Sequence, residues 1–182
     1  MNKALALALI AAAASGCAST KAKREANPGE CPNAIVLADA ARLVEFDGGE
    51  AIEDVAYTAE IQDVELTCRY YEDKPIDASL KVKIAFGRGA KGQSREHPFT
   101  YFIAVTRSNL EVIEKQEYTL PVKFDDDRNI ATVEEKIGTI VIPRANDTVS
   151  GTNFEVVVGL ALTRDQAIFN RSGKSLKFPD LK

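Results

Sequence analysis

The sequence predicts an all-β domain, an antiparallel β-sandwich of about seven strands. Three observations carry that reading. Phe99, Tyr101, Ile103 and Val105 alternate with Thr100, Phe102, Ala104 and Thr106, the period-2 pattern of a strand with one strongly apolar face. Near the C-terminus Phe154, Val156, Val158, Leu160 and Leu162 alternate in the same way, and Val157, Gly159 and Ala161 between them are apolar or small, which predicts a strand buried on both faces. Polar turn clusters punctuate the chain: Asp47-Gly48-Gly49, Asp73-Lys74-Pro75, Gly87 to Gly92, Asp125-Asp126-Asp127 and Asn146 to Gly151.

The chain opens with a single positive charge at Lys3, followed by an uninterrupted run of Ala, Leu and Ile from Ala4 to Ala14. That run is shorter than the roughly 20 apolar residues of a spanning helix, so residues 1–16 read as a secretory signal peptide. Small residues Ser15 and Gly16 then lead straight into a cysteine. Ala14-Ser15-Gly16-Cys17 resembles the lipobox of bacterial lipoproteins, with Ala14 standing where Leu is usual. The resemblance implies that the Cys17 thiol takes a diacylglycerol, that the leader is cut before it, and that the new amino group is acylated. Two or three acyl chains, at about 0.8 kcal/mol per buried methylene, make such an anchor effectively permanent. By the same resemblance, Ala18 rather than Asp after the cysteine implies the periplasmic face of the Gram-negative outer membrane.

Residues 17–30 carry small, charged and turn-forming side chains without apolar periodicity, and read as a lipidated flexible tether. Fully extended it reaches about 40 Å. Lys21, Lys23 and Arg24 lie close to the anchor, where they either lean on anionic headgroups or keep the linker soluble.

Residues 31–182 form the domain, about one domain's worth of chain. Residues 34–46 are ambiguous: their alanines favour helix, while Ile35, Val36 and Leu37 suit a first strand. Strands are then expected at 55–71, 80–86, 99–106, 110–124, 131–143 and 154–162. The longest of these exceed the usual strand length of about ten residues and are expected to bend or carry a bulge. Residues 163–170 begin with a capping Thr and predict a single helical turn closing the sandwich. The spacing of strands and turns suggests the immunoglobulin or fibronectin type of sandwich architecture. Tryptophan is absent and the cysteine spacing is too short for the inter-sheet bridge of antibody domains, so the architecture is expected and not that family.

Three cysteines are present. With Cys17 lipidated, Cys31 and Cys68 remain as a pair in an oxidising compartment and are expected to form a disulfide. A metal site is the rival, but no CxxC occurs and the single histidine, His97, is distant in sequence from both. No metal ligand set and no cofactor beyond the lipid on Cys17 is expected.

The remaining motifs are weak. Gly87-Arg-Gly-Ala-Lys-Gly-Gln-Ser94 resembles a phosphate-binding loop in glycine spacing, but Gln93 stands where the lysine belongs, and no parallel strand and helix flank it. It reads as a flexible hairpin loop whose Arg88, Lys91 and Arg95 are candidates for contact with an anionic envelope component. Asp125-Asp126-Asp127-Arg128-Asn129 offers oxygen ligands but lacks the spaced Gly and distal Glu of an EF-hand, and reads as a solvated acidic turn. His97, before a proline at a strand entrance, reads as a surface residue. The formal charge of −4 and scattered basic residues argue against a nucleic-acid partner.

No constellation of acid, base and nucleophile stands out, so an enzyme is not expected. The body of the chain, with Phe99-Thr-Tyr-Phe-Ile-Ala-Val-Thr106 and Val-Gly-Leu-Ala-Leu-Thr163, is loosely similar to small Gram-negative envelope lipoproteins that have no assigned activity. It departs from peptidoglycan-binding domains, whose α/β pattern and Asp/Arg motif it lacks. The expected role is a membrane-anchored, non-enzymatic interaction or scaffold module whose partner is another envelope protein, with a lipid- or glycan-binding module as the alternative.

Overall fold

Period-2 alternation gives each long strand one apolar face, and the chain buries these faces by stacking two four-stranded sheets. The structure is a computed structural model that describes residues 29–71, 73–178 and 180–181. The expected leader, the expected lipidation site at Cys17 and most of the expected tether lie outside the described residues. Eight strands occur among them, β1 (Asn33–Val36), β2 (Arg42–Phe46), β3 (Val55–Arg69), β4 (Ile76–Arg88), β5 (Glu96–Arg107), β6 (Val112–Lys123), β7 (Ile130–Ile142) and β8 (Phe154–Leu160). One helix, α1 (Arg164–Arg171), follows them. One sheet has the order β1-β8-β5-β6 and the other β2-β3-β4-β7. All neighbours pair antiparallel except β1 and β8, which run parallel.

The ambiguous segment 34–46 resolves into two short strands joined by a 3-10 turn at Ala38–Ala40, one strand in each sheet. This accounts for a strand beyond the seven expected. The core lies between the sheets. From one side come Phe99, Tyr101, Ile103 and Val105 of β5 with Phe154, Val156, Val158 and Leu160 of β8, and from the other Ile76, Leu80, Val82, Ile84 and Phe86 of β4. β8 is buried on both faces, as its composition predicts, because Val157 and Gly159 are covered as well.

The long strands carry register shifts. In β3 the shift between Ile61 and Asp63 moves the inward set from Tyr57, Ala59 and Ile61 to Val64, Leu66 and Cys68. In β7 an extra residue lies between Ile137 and Ile140, the partners of Leu80 and Ala78. In β6 another lies between Val112 and Glu114, the partners of Thr106 and Val105.

The start of the domain is stapled. Cys31 and Cys68 form a disulfide with Cα atoms 5.6 Å apart, across a sequence separation of 37. Beside it the Tyr70 hydroxyl donates to the Glu30 carbonyl at 2.5 Å and accepts from the Gly151 amide at 2.7 Å. A Cβ on residue 151 would overlap the Glu30 carbonyl oxygen, so glycine is needed for the two segments to meet. The Arg144 guanidinium covers the outside of the Tyr70 ring at 5.1 Å.

The C-terminal segment closes the outer face of β2 and β3. Thr163 caps α1 in a capping box with Gln166, and the helix runs for two turns instead of the single turn expected. Phe169 packs with Phe46 and Phe178, ring centroids 5.4 and 6.1 Å away, over Val44 and Val55. Asn170 donates to the carbonyls of Asp39 and Arg42, at 2.8 and 2.7 Å. It thereby occupies acceptors at the free edge of β2. Arg42 pairs with Glu60 at 2.9 Å and with Asp180, and Glu60 accepts from the Leu181 amide.

Two stability effects are expected. Replacing Cys31 and Cys68 together by Ala removes a loop constraint worth about 3–4 kcal/mol in the chain-entropy model, so the denaturation midpoint falls; equal midpoints for the oxidised wild type and the variant would show the bridge idle. Tyr70→Phe, with both hydrogen bonds lost at a buried junction, lowers stability by about 1–3 kcal/mol, read from the same denaturant curves.

Candidate functional site

A sandwich buries faces and leaves edges, and here the two lateral sides are treated differently. On one side β1 and β2 are joined by the Ala38–Ala40 turn, and α1 packs against that turn and β2. On the other side the edges are β6 and β7, of 12 and 13 residues, each hydrogen-bonded to a single neighbour. Near one end of this side a groove of about 150 Å³ opens between them. Its floor is Ile103, Val105 and Ile140, and its rim Glu114, Gln116, Tyr118, Thr139 and Val141. The extra residues in β6 and β7 flank it, and bulges of this kind bend an edge strand and re-aim its side chains. They are the local cause of the opening.

Behind the rim lies an aromatic pair. Tyr101 and Tyr118 stack with centroids 5.3 Å apart and planes at 19°. Tyr118 donates to Gln116 Oε1 at 2.8 Å. Tyr101 is 1% exposed, and its hydroxyl has no hydrogen-bond partner among the described residues. Burial, reinforced by Glu135 and Tyr118, pushes the Tyr101 phenol far above the usual tyrosine range, and burial with Glu114 raises Tyr118 as well. Glu135 stands at an inward-facing position of β7, half-buried between Val133 and Ile137 in the apolar alternation.

The basic loop is fixed to the sandwich, which corrects the expectation of a flexible hairpin. The Gly89 amide donates to the Ala56 carbonyl and the Lys91 amide to the Val55 carbonyl, at 2.8 and 3.0 Å. A Cβ at 89 would overlap the Val55 carbonyl oxygen, so glycine permits this contact. Tyr57 adds a double tie, its hydroxyl donating to the Ser94 carbonyl and accepting from the Ser94 amide. The anion-contact candidates are not gathered on a common ligand. Arg88 donates to Asn129 Oδ1 at 2.8 Å, Arg95 pairs with Asp126, and Lys91 is exposed without a partner among the described residues. The acidic turn between β6 and β7 is thus partly neutralised by the basic loop between β4 and β5, through Arg95 and Asp126.

His97 is more engaged than a surface histidine. Its ring stacks on Tyr57 with centroids 3.8 Å apart, and its Nε2 lies 3.0 Å from Glu45 Oε2. Because Glu45 belongs to β2 and His97 to β5, the pair links the two sheets. Tyr57, Phe86, Phe99 and Phe124 complete an aromatic cluster around it. Its role is to close that end of the core. Among the described residues no three His, Cys, Asp or Glu side chains converge on a point suited to a metal ion.

Sequence reading missed the β6–β7 groove. Its available signal was Glu135, a charge interrupting an otherwise apolar stripe from Ala131 to Ile137. Comparison of the chain with family models, curated proteins and solved structures yields no match.

Tyr101→Phe removes an unsatisfied buried hydroxyl and keeps the ring, so stability at neutral pH is expected to hold or rise by up to about 1 kcal/mol. The pH sign follows from linkage. The folded pKa is raised, so the contribution of Tyr101 is fully present below the unfolded value near 10 and is lost as pH rises past it. The advantage of the Phe variant therefore grows in alkali, measured by denaturant titration at neutral and alkaline pH. A clear loss of stability at neutral pH would show that the hydroxyl has a partner.

Proposed function

We propose that the chain is a lipid-anchored envelope protein that acts as a non-enzymatic interaction module and presents its β6–β7 side to another envelope protein. The observation that carries this reading is the asymmetry of the sandwich. One side is backed by a turn and a helix that occupies edge carbonyls, while the other leaves two long strand edges beside a partly apolar groove. Free edges invite pairing with another extended chain. Neither the groove, at about 150 Å³, nor a second opening of about 220 Å³ beside α1, lined by Phe169, Lys174, Lys177 and Phe178, reaches the roughly 300–1,000 Å³ of typical small-molecule pockets, which weighs against the lipid- or glycan-binding alternative. The outer-membrane address rests on the lipobox resemblance of Ala14 to Cys17. No helix among the described residues is long and apolar enough to cross a membrane.

Two experiments test this. A photo-crosslinking residue placed at Gln116 or Thr139 is expected to trap a discrete protein adduct in cells, whereas the same residue at Ile168 on the capped side traps none. Adducts from Ile168 alone, or equal background at all three, would remove the β6–β7 side from consideration. Separately, Cys17→Ala is expected to abolish incorporation of labelled fatty acid and release the protein from membranes; a labelled mature band in that variant would sink the anchor.

A further inference from the structure

The groove has the chemistry of a particular side chain. Its floor is aliphatic, and its rim sets Glu114 beside the Tyr118 ring. The carboxylates on the two edge strands fall into two sets. Outward-facing Glu117 and Glu134 are neutralised by Lys115 and Lys136 on their own strands, with N···O distances of 2.8 and 3.5 Å. Glu114, on the groove rim, and Glu135, at an inward-facing position, have no cationic partner among the described residues. Glu135 lies close enough to Tyr101 to help raise its phenol, and Glu114 does the same to Tyr118, so both negative charges act on the space between the strands.

We infer that the β6–β7 groove docks an extended segment of another envelope protein that carries a lysine or arginine. Its alkyl stem lies on Ile103, Val105 and Ile140, and its charged head meets Glu114 against the face of Tyr118. This deepens the interaction-module reading and rests on it. Lysine and arginine alone combine a long apolar stem with a permanent cation, matching an aliphatic floor below an unpaired carboxylate. The Tyr118 face adds a cation–π contribution, a contact the protein already makes on the outer face of the same β5–β6 pair, where Lys115 Nζ sits 4.6 Å from the Phe102 centroid. A second copy of the chain fits poorly. Joining two β7 edges about a two-fold axis would place both copies of Glu114 and Glu135 along one trough, where like charges repel. The same carboxylates therefore disfavour self-association and select a basic partner.

The test is selection of short random peptides, displayed as a library, on the mature full chain in detergent. A parallel selection uses the Glu114→Gln, Glu135→Gln double variant, checked for an intact disulfide and an unchanged melting temperature. Enriched peptides are expected to share a Lys or Arg at a fixed place in an alternating apolar frame. Their binding to the double variant, measured by anisotropy of labelled peptide, is expected to weaken by about tenfold or more. Enrichment without a basic position, equal binding to both chains, or no enrichment would each overturn the inference. So would a concentration-dependent dimer of the wild-type chain lost in the double variant, which would put a second copy in the groove. These outcomes are separable from failure of the interaction module, because crosslinking from Gln116 and Thr139 makes no assumption about partner charge.

Discussion

Everything in this molecule depends on two apolar sheet faces covering one another. Neither sheet is independently soluble: β4 presents Ile76, Leu80, Val82, Ile84 and Phe86, each essentially inaccessible to water, and β5 and β8 supply the opposing layer. After the turn that carries it from β1 to β2, the chain crosses between sheets three more times, from β4 to β5, back from β6 to β7, and again from β7 to β8. Each crossing needs its own fastening because the connecting segments add little apolar surface. The first two are fastened together: the Gly89 and Lys91 amides bond to the start of β3, the Arg88 amide to the Asn129 carbonyl, and the Phe124 amide to the Arg95 carbonyl. The last is fastened by Tyr70, which ties residue 151 to residue 30 beside the disulfide. The short parallel strand β1 follows at once from that staple, and its four residues are held in register on β8 by a start that has already been fixed.

Covering faces does not dispose of edges, and the protein meets its edges in different ways. β2 is short, and Asn170 uses both hydrogens of its side-chain amide on carbonyls at its margin. β6 carries Pro121, which removes a donor, and alternating charges; β7 carries Glu134, Glu135 and Lys136. Both also contain an extra residue near the groove. Such features blunt indiscriminate pairing. They also create a defined opening, because bulges on facing edges bend the strands apart over Ile103, Val105 and Ile140. On the proposed reading, protection against wrong partners and definition of a right one would arise from the same residues.

The sequence was informative where structure is local and silent where it is not. The alternations in β5 and β8 were legible because a period of two needs only neighbouring residues, and the cap of α1 was legible because Thr163 and Gln166 are one turn apart. Residues 34–46 were ambiguous for the opposite reason: β1 is set by a parallel partner near the far end of the chain, and local propensity carries no trace of it. The loop 87–94 reads as mobile from its glycines, yet Gly89 serves to bring backbone against backbone, and only the fold shows what it approaches. The groove was hidden for a related reason. Its bulges are defined by register against β4 and β5, which sequence does not display, and only the misplaced charge at Glu135 hinted at it.

The position of the groove relative to the chain's start gives the proposed anchor a mechanical meaning. Cys68 of β3 pairs with Ala78 of β4, and Ala78 pairs with Ile140 of β7, whose side chain forms part of the groove floor. Two interstrand steps of about 4.8 Å therefore separate the disulfide from the groove, roughly 10 Å along the sheet. The segment expected to act as a tether meets the domain at Cys31, on the other half of that disulfide. A lipid on Cys17 would thus be joined to the domain at the end where the groove opens, and the α1 cap, packed at the start of β3, would lie toward the far end of a strand of 15 residues. If Cys17 is lipidated as proposed, the roughly 40 Å reach of the intervening segment would keep the groove within the layer near the membrane whichever way the domain tilts. Partner segments projecting from neighbouring membrane proteins would then meet it at a high effective concentration, so a single seated side chain and a modest length of strand pairing would suffice where a freely diffusing protein would need a larger interface.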